Sequence, residues 1–162
     1  MILQQRFYPQ TILHLFGCPM PDVKDIMTKN VVTIDGNETV FEAAQLMSEK
    51  SIGCLVVTIG GVPSGIVTER DFLKRIVAQR ASFDLKVSEI MSKSLVTIDP
   101  DASIKNAARI MSSHKIRRLP VLKENKLVGI VVATDLVRNV GKKTTSEEIL
   151  DAIGRYPSGP IT

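Results

Sequence analysis

The chain has 162 residues, of which 44% are hydrophobic, 23% are charged and 4% are aromatic, and its formal net charge is +4 at pH 7. These proportions are typical of a globular protein and exclude a disordered or low-complexity chain. The longest apolar runs are far shorter than the roughly 20 residues that a membrane-spanning helix needs, so no membrane helix is expected. Two cysteines, Cys18 and Cys54, with His14 and His114 give neither a disulfide framework nor a metal site and favour a reducing cytoplasm.

Residues 1–20 are interpreted as an N-terminal extension. They contain a short apolar patch, Ile12–Phe16, between Pro9 and Gly17. This patch lacks the long apolar core of a secretory signal. Met20 is interpreted as a candidate alternative start.

Beyond this extension, the chain repeats itself without a gap after a shift of 64 residues. Asp22–Val77 aligns with Lys86–Gly141, and roughly a third of the aligned positions are identical, which indicates two copies of one supersecondary unit. A unit of about 60 residues is marginally stable alone, so the copies are expected to share a core. The resulting domain prediction is a first repeat over residues 21–80, a second repeat over 81–141, and a C-terminal helix and tail over 142–162.

Each repeat is predicted to begin with a short extended stretch, Val31–Ile34 or Leu95–Ile98, followed by a helix. In the first copy, Thr39 and Glu42 have the spacing of a capping box. Apolar residues then recur at helical spacing in both copies: Val40, Ala43, Ala44 and Met47 in the first, and Ile104, Ala107, Ala108 and Met111 after Ser103 in the second. The paired alanines indicate either close packing of the helix on a sheet or contact with a second helix at a dimer interface.

Two strands joined by a tight hairpin are predicted next. Cys54–Ile59 is rich in β-branched residues, and Gly60 and Gly61 supply the positive φ angles of the turn. The second copy repeats the pattern with Leu119–Leu122 and Leu127–Val132 around Glu124 and Asn125.

A second helix from about Glu69 completes the unit, which therefore has the order β-α-β-β-α. Its expected buried stripe is Phe72, Leu73, Ile76 and Val77, with Leu136, Val137 and Val140 as the counterpart. One further helix is predicted over Thr145–Ile153, capped by Ser146 and ended by Pro157–Pro160.

The order of these units and two of their motifs resemble the CBS-domain family, named after cystathionine beta-synthase. The motifs are Gly65–Asp71 and Arg117–Val121, and the resemblance covers about residues 22–141. It implies an α+β fold in which tandem β-α-β-β-α repeats pack as a pseudo-twofold CBS pair, also called a Bateman module. It further implies adenine nucleotides (AMP, ADP or ATP) as ligands in the clefts between the copies, no required cofactor, and a homodimer formed through helices of the repeats.

The Gly65–Asp71 motif carries chemistry that suits a nucleotide. A glycine lets the backbone approach a ligand, and Thr68 lies at a helix start, where free N–H groups favour phosphate. The Asp71 carboxylate can accept hydrogen bonds from both ribose hydroxyls. The alternative interpretation is that Thr68 and Asp71 form a capping pair that needs no ligand.

The second copy bears on that alternative. Val132 stands where the first copy has the threonine, whereas Asp135 is retained. The loss of the capping pair argues that capping is not the whole explanation, although Thr134 is itself a possible cap. Val132 also makes a phosphate contact at its own position doubtful and leaves Thr134 as the better hydroxyl.

In the family, a cleft joins the Gly-to-Asp segment of one copy to the early strands of the other, which implies two nucleotide sites here. The first would combine Ile66, Thr68, Arg70 and Asp71 with Met91, Ser94, Val96 and Ile116. The second would combine Ile130, Thr134 and Asp135 with Asn30, Val32, Ile52 and Gly53. Apolar members are expected to hold the adenine, and main-chain groups near Asn30 or Ser94 to read its edge.

Two arginines complete the expected nucleotide site. Arg117 and Arg118 lie in the strand that resembles the phosphate-facing position of the family, where a guanidinium can make bidentate contacts to phosphate. The alternative for both is solvated surface charge.

The expected function is that of a stand-alone regulatory module, a sensor of energy state or ligand, that alters its contact with an unknown protein partner when nucleotide binds. An enzyme is not expected, because the repeats leave only about 20 residues at either end and no catalytic motif is present. S-adenosylmethionine binding and a ligand-free structural dimer are alternatives. Nucleic-acid binding is a further alternative, disfavoured because the basic residues lack aromatic platforms: Lys115, Arg117, Arg118, Arg138, Lys142 and Lys143.

Overall fold

A computed structural model describes residues 21–140 of the chain, so the predicted helix Thr145–Ile153 and the N-terminal extension lie outside the described part. The described helices are α1 (Val23–Ile26), α2 (Val40–Lys50), α3 (Glu69–Asp71), α4 (Val87–Ile90), α5 (Ile104–His114) and α6 (Ala133–Val140). The strands are β1 (Thr33–Asp35), β2 (Cys54–Ile59), β3 (Val62–Thr68), β4 (Arg118–Lys123) and β5 (Lys126–Val132). A π-helical segment, Phe72–Val77, continues α3. Within residues 21–140, no helix has the length and hydropathy to cross a membrane.

The strands form one sheet in each repeat. In the first repeat β1 is parallel to β2, and β2 is antiparallel to β3. In the second repeat β4 and β5 form an antiparallel pair. Both hairpin turns have positive φ angles at their two central residues, 57° and 80° at Gly60 and Gly61 and 50° and 63° at Glu124 and Asn125. The two predicted hairpins are therefore confirmed, with turns whose twist matches that of the strands.

The predicted extended stretches at the start of the repeats are only partly present. In the first repeat the strand is Thr33–Asp35 rather than Val31–Ile34. In the second repeat Leu95–Ile98 does not form a strand, and Ile98 alone makes a parallel bridge to Val121.

Two prolines explain this difference between the repeats. The Val56 N–H donates to the Val32 carbonyl at 3.4 Å, and the Gly36 N–H donates to the Thr58 carbonyl at 2.7 Å. The residues aligned with Val56 and Gly36 are Pro120 and Pro100. Proline has no N–H to donate, so the corresponding sheet hydrogen bonds cannot form in the second repeat.

Both α2 and α5 are capped, α2 by the predicted residues. Glu42 Oε2 accepts from the Thr39 N–H at 2.8 Å, while Thr39 Oγ1 accepts from the Glu42 N–H at 3.2 Å, which is a capping box. Ser103 Oγ accepts from the Asn106 N–H at 3.2 Å. The predicted apolar stripes face the cores, with seven of the eight residues buried and Ala44 half-buried: Val40, Ala43, Met47, Ile104, Ala107, Ala108 and Met111.

The stripe predicted for the second helix is wrong in part. Ile76 is buried and Phe72 half-buried, but Leu73 is 62% exposed and Val77 is 59% exposed. The physical reason is the π-helical backbone, in which the Ala78 N–H donates to the carbonyl of Leu73, five residues earlier. This wider turn breaks the 3.6-residue period on which the prediction rests. In the counterpart helix Leu136 is buried, whereas Val137 is 41% exposed.

Residues 21–140 form two hydrophobic cores. The short helices at the start of the repeats, α1 and α4, are exchanged between these cores. Val23 of α1 is fully buried in the core built on α5, β4, β5 and α6. Val87 of α4 is fully buried in the core of the first repeat. Main-chain hydrogen bonds fix both exchanges, from the Val23 N–H to the Ala102 carbonyl at 2.8 Å and from the Val87 N–H to the Glu38 carbonyl at 2.9 Å. Each core thus contains a helix whose sequence belongs to the other repeat.

Candidate ligand-binding site

A cleft of about 610 Å³ lies where the end of β3 and the start of α3 face the second repeat. Seven residues of the first expected site and the two expected arginines line it: Ile66, Thr68, Arg70, Asp71, Ser94, Val96, Ile116, Arg117 and Arg118. Gly53 also lines it, although the sequence placed that residue in the other site. Six lining residues were missed: Glu69, Leu73, Ser92, Leu95, Lys115 and Pro120.

A pair of main-chain hydrogen bonds forms one wall of the cleft. The Ser92 N–H donates to the Ile66 carbonyl at 2.9 Å, and the Ile66 N–H donates to the Ser92 carbonyl at 3.3 Å. A Cβ on Gly65 would lie 2.5 Å from the sulfur of Met91 and 2.9 Å from the Ser92 carbonyl oxygen. The absence of a side chain at Gly65 therefore lets β3 pack closely against Met91 and Ser92. This corrects the expectation that the glycine makes room for a ligand. Met91 is buried at 4% exposure and packs in the first core rather than lining the cleft.

The same arrangement recurs at Gly129, where a Cβ would collide with the side chain of Met27 and lie 3.1 Å from the Thr28 carbonyl oxygen. Ile130 pairs with Thr28 through two hydrogen bonds of 2.9 Å.

The Asp71 carboxylate is held by three groups that lie within four residues of it in the sequence. Its Oδ2 accepts from the Thr68 N–H at 2.9 Å and from Thr68 Oγ1 at 2.7 Å, and its Oδ1 lies 3.5 Å from Arg75 Nε. The side chain is 16% exposed. Because both contacts to Thr68 fall on Oδ2, Oδ1 keeps lone pairs that can accept from a ligand.

The capping interpretation applies to both repeats. Asp135 Oδ2 accepts from the Val132 N–H at 3.1 Å, so the carboxylate binds the main chain without any threonine hydroxyl. The loss of the threonine is therefore no evidence against capping as the whole explanation, because the essential donor is a main-chain N–H, which valine also supplies.

The N–H groups at the helix starts are also less available than expected. The Glu69 N–H donates to the Gly53 carbonyl at 3.3 Å, and the equivalent Ala133 N–H donates to the Arg117 carbonyl at 2.9 Å. These two groups are therefore not free to bind a phosphate. The cationic side chains of the cleft are the stronger candidates for contact with an anion.

The charged lining consists of four cations and two carboxylates: Arg70, Lys115, Arg117, Arg118, Glu69 and Asp71. Arg118 and Glu69 both lie close to Gly53, where a Cβ would be 3.1 Å from Arg118 Nη2 and 3.0 Å from Glu69 Oε2. Both charges act on the neighbouring Cys54 thiol. Its pKa is raised by burial, with a smaller lowering by Arg118 and a smaller raising by Glu69. The thiol is therefore protonated at neutral pH and is not an activated nucleophile.

The remaining residues of the second expected site differ in exposure. Ile130 is buried, while Asn30 and Thr134 are exposed. Val32, Ile52 and Asp135 are half-buried. Within residues 21–140, no group of three or more His, Cys, Asp or Glu side chains is placed to hold a metal ion.

Some of the missed residues carried a signal in the sequence. Glu69 lies inside the Gly65–Asp71 motif, and Lys115 immediately precedes Ile116. Arg75, which pairs with Asp71, stands four residues after it, the spacing at which helical side chains meet. Leu73 reaches the cleft because of the π-helical turn, which the sequence pattern did not indicate.

Fold and cleft together define a protein built from two interlocked repeats, each with a short helix, a longer helix, a β-hairpin and a last helix, and with a ligand-sized cleft between them. The family model of the CBS domain matches residues 23–78 and 87–142. The chain therefore belongs to the CBS-domain family.

Two curated relatives show the extent of the similarity. The CBS domain-containing protein YhcV of Bacillus subtilis is 43% identical over 120 residues, covering 74% of this chain and 86% of the relative. Hypoxic response protein 1 of Mycobacterium tuberculosis is 33% identical over 123 residues, covering 75% of this chain and 86% of the relative.

Solved structures share the fold. The hexameric CBS-CP12 protein from bloom-forming cyanobacteria matches with a TM-score of 0.73 and 34% identity, covering 85% of this chain and 84% of that one. The CBS domain pair of protein MJ0100, solved in complex with 5′-methylthioadenosine and S-adenosyl-L-methionine, matches with a TM-score of 0.70 and 30% identity. That alignment covers 78% of this chain and 100% of the other.

Proposed function

We propose that the cleft binds an adenine nucleotide (AMP, ADP or ATP), and that the chain is a regulatory cytoplasmic module rather than an enzyme. The observation that carries the proposal is a cleft of about 610 Å³ that combines apolar walls, two carboxylates and four cations. This volume lies within the range of small-molecule pockets. The complex of the similar MJ0100 pair with two adenosine-containing molecules supports the choice of an adenosyl ligand.

The apolar part of the cleft suits the base. Ile66, Val96 and Ile116 come from both repeats and line the same space, so a planar adenine can be held between them. Asp71 then suits the sugar, since Oδ1 can accept from ribose hydroxyls while Thr68 holds Oδ2 in place.

The cations favour a phosphorylated ligand. Arg70, Lys115, Arg117 and Arg118 surround one cleft, and guanidinium groups make strong paired hydrogen bonds to phosphate. A sulfonium cation gains nothing from these groups. S-adenosylmethionine is nevertheless the second candidate, because the similar MJ0100 pair was solved with it.

Regulation is proposed to act through association of two copies. Leu73 and Val137 occupy equivalent positions of the two repeats and are 62% and 41% exposed, and Val77 adds a third exposed apolar side chain. Covering such residues in a homodimer removes apolar area from water. Leu73 also lines the cleft, so a bound ligand would touch a residue of this surface and bias contact with a second copy or with a protein partner.

Isothermal calorimetry with AMP, ADP, ATP and S-adenosylmethionine tests the proposal. A ligand at 100 times its dissociation constant should also stabilise the fold by about 2.7 kcal/mol. Arg118→Gln should weaken ATP binding about tenfold or more, because a hydrogen bond to a charged group contributes about 1.5 to 3 kcal/mol. Arg109→Gln removes the same charge from α5 and should bind like the parent.

Other outcomes decide between the alternatives. Binding of S-adenosylmethionine alone, unaffected by Arg118→Gln, would favour the second candidate. If no adenosine-containing ligand binds, the proposal is wrong. Steep salt dependence of RNA or DNA binding without competition by ATP would favour a nucleic-acid-binding protein.

A further inference from the structure

We propose that Glu69 determines the ligand specificity of the cleft, because its carboxylate competes with the phosphates of a ligand for Arg118. The inference deepens the proposed function and rests on it, since it presumes that Arg118 receives an anionic group of the ligand. It goes further because it assigns a specific role to the Glu69 carboxylate. This carboxylate limits how much the affinity of the cleft increases with the negative charge of the ligand.

The geometry brings the two charges to one point of the cleft wall. Glu69 Oε2 and Arg118 Nη2 lie 3.0 Å and 3.1 Å from the position that a Gly53 Cβ would occupy, and both residues line the cleft. Arg118 is half-buried, whereas Glu69 is exposed. A phosphate that binds Arg118 must therefore approach Glu69 closely or cause its side chain to turn away.

The Glu69 side chain is held less firmly than that of Asp71, the other carboxylate of the cleft. Asp71 is fixed by Thr68 and Arg75 and has a structural role as a cap. The Glu69 side chain is exposed and has three rotatable bonds, so it can move when a ligand enters.

The second repeat shows that the fold does not require a carboxylate here. The residue aligned with Glu69 is Ala133, and its N–H makes the equivalent hydrogen bond, 2.9 Å to the carbonyl of Arg117, the residue before β4. The main-chain contact of Glu69, 3.3 Å to the Gly53 carbonyl, is therefore independent of its side chain. The Glu69 carboxylate is therefore not required by the fold and is available for a role in the cleft.

Like charges repel, so the effect of Glu69 must grow with the negative charge of the ligand. It should be largest for ATP, smaller for AMP and absent for adenosine, which has the same base and sugar and no charge. It should also decline as salt concentration rises, since the site is open to solvent.

Calorimetry on four variants of the full chain tests this assignment. Glu69→Gln should bind ATP about 2- to 5-fold more tightly than the parent, the factor that corresponds to the energy of an exposed charge pair. It should bind adenosine with unchanged affinity. Glu49→Gln, which removes an exposed carboxylate from α2, is the matched control and should leave both affinities unchanged. In an Arg118→Gln background, the further change Glu69→Gln should improve ATP binding by a smaller factor than in the parent, because only its direct repulsion of the phosphates is left. The four affinities form a double-mutant cycle.

Two results would overturn the inference: ATP affinity that is equal or weaker in Glu69→Gln, or an equal gain for adenosine. Inorganic tripolyphosphate separates this failure from that of the proposed function. If the parent binds neither ATP nor adenosine, the proposed function fails, and the role of Glu69 survives only if Glu69→Gln tightens tripolyphosphate binding in an Arg118-dependent manner. If tripolyphosphate does not respond either, the role of Glu69 is wrong as well.

Discussion

Arg75 and Asp71 form an ion pair across one helical turn, with 3.5 Å between Arg75 Nε and Asp71 Oδ1. Arg75 Nη1 also donates to the Met91 carbonyl at 3.4 Å. One guanidinium thus connects a carboxylate of the cleft to the segment that follows the exchanged helix α4. Asp71 is positioned from two sides, by Arg75 at one oxygen and by Thr68 at the other.

The first prediction separates the capping role of Asp71 from its proposed contact with ribose. Asp71→Ala and Asp135→Ala each remove a carboxylate that accepts from a main-chain N–H at a helix start. Both variants should lose about 1 kcal/mol of unfolding free energy in urea titrations, the usual effect of a lost cap. Asp71→Ala should also weaken ATP binding in the described cleft, and Asp135→Ala should weaken a separate binding event. If both variants bind ATP like the parent, the two aspartates act as caps alone.

The second prediction concerns the close contact at Gly65. Gly65→Ala would place a Cβ 2.5 Å from Met91 Sδ and 2.9 Å from the Ser92 carbonyl oxygen, and backbone cannot move aside as a flexible side chain can. Overpacking of this kind should cost about 1 to 3 kcal/mol in chemical denaturation.

Gly61→Asn is the matched control for this substitution. Gly61 has a φ of 80° with open space around it, and the aligned residue of the second repeat is Asn125 at a φ of 63°. Asparagine tolerates this conformation, so the control should be nearly neutral. Equal stability of both variants would contradict the packing assigned to Gly65.

The third prediction follows from an ion pair between the exchanged helix α1 and the second repeat. Lys24 Nζ lies 2.7 Å from Asp101 Oδ1. The hydrogen bond from Lys24 lowers the pKa of Asp101, and the same bond raises the pKa of Lys24. The lowered pKa of Asp101 stabilises the fold above its ordinary value of 3.8, and this contribution is lost as the pH falls further. The raised pKa of Lys24 stabilises the fold below its ordinary value of 10.5, and this contribution is lost as the pH rises further.

Asp101→Asn should therefore be less stable than the parent at neutral pH, and the difference in urea midpoints should be smaller near pH 3. High salt should reduce the difference, because the pair is exposed. Glu49→Gln serves as the charge control. A difference that is the same at both pH values would show that Asp101 acts through something other than its charge.

The fourth prediction tests the proposed dimer surface. Leu73→Glu combined with Val137→Glu places charge at two equivalent, exposed apolar positions. If these helices join two copies, light scattering after gel filtration should show a change from the mass of two chains to that of one. Val62→Glu, at an equally exposed site in the hairpin of the first repeat, should leave the mass unchanged. An unaltered mass in the double variant would place any dimer contact elsewhere.

Local signals made much of the fold predictable from the sequence. The turns at Gly60–Gly61 and Glu124–Asn125 and the cap at Thr39 depend on residues within a few positions of one another. The lost strand in the second repeat was also visible in principle, because Pro100 and Pro120 stand where the sheet requires N–H donors. The π-helical turn was not, since Leu73 and Val77 fit an ordinary helical stripe equally well.

The cleft was harder to predict because its walls depend on contacts between distant segments. The family resemblance placed Thr68, Asp71 and Ile116 in one site, and they line one cleft. It did not indicate that Gly65 packs against Met91, or that Glu69 and Arg118 both lie beside Gly53. Such neighbours are set by tertiary packing, which a motif of seven residues does not contain.

The exchange of Val23 and Val87 between the cores means that neither half of the molecule is complete in itself. If the chain were cut between the two repeats, each fragment would contain a helix that fills the core of the other fragment. The core that lost its helix would then be exposed to water. The two repeats are therefore expected to fold and unfold together. A ligand bound between them should then stabilise both repeats and not one alone.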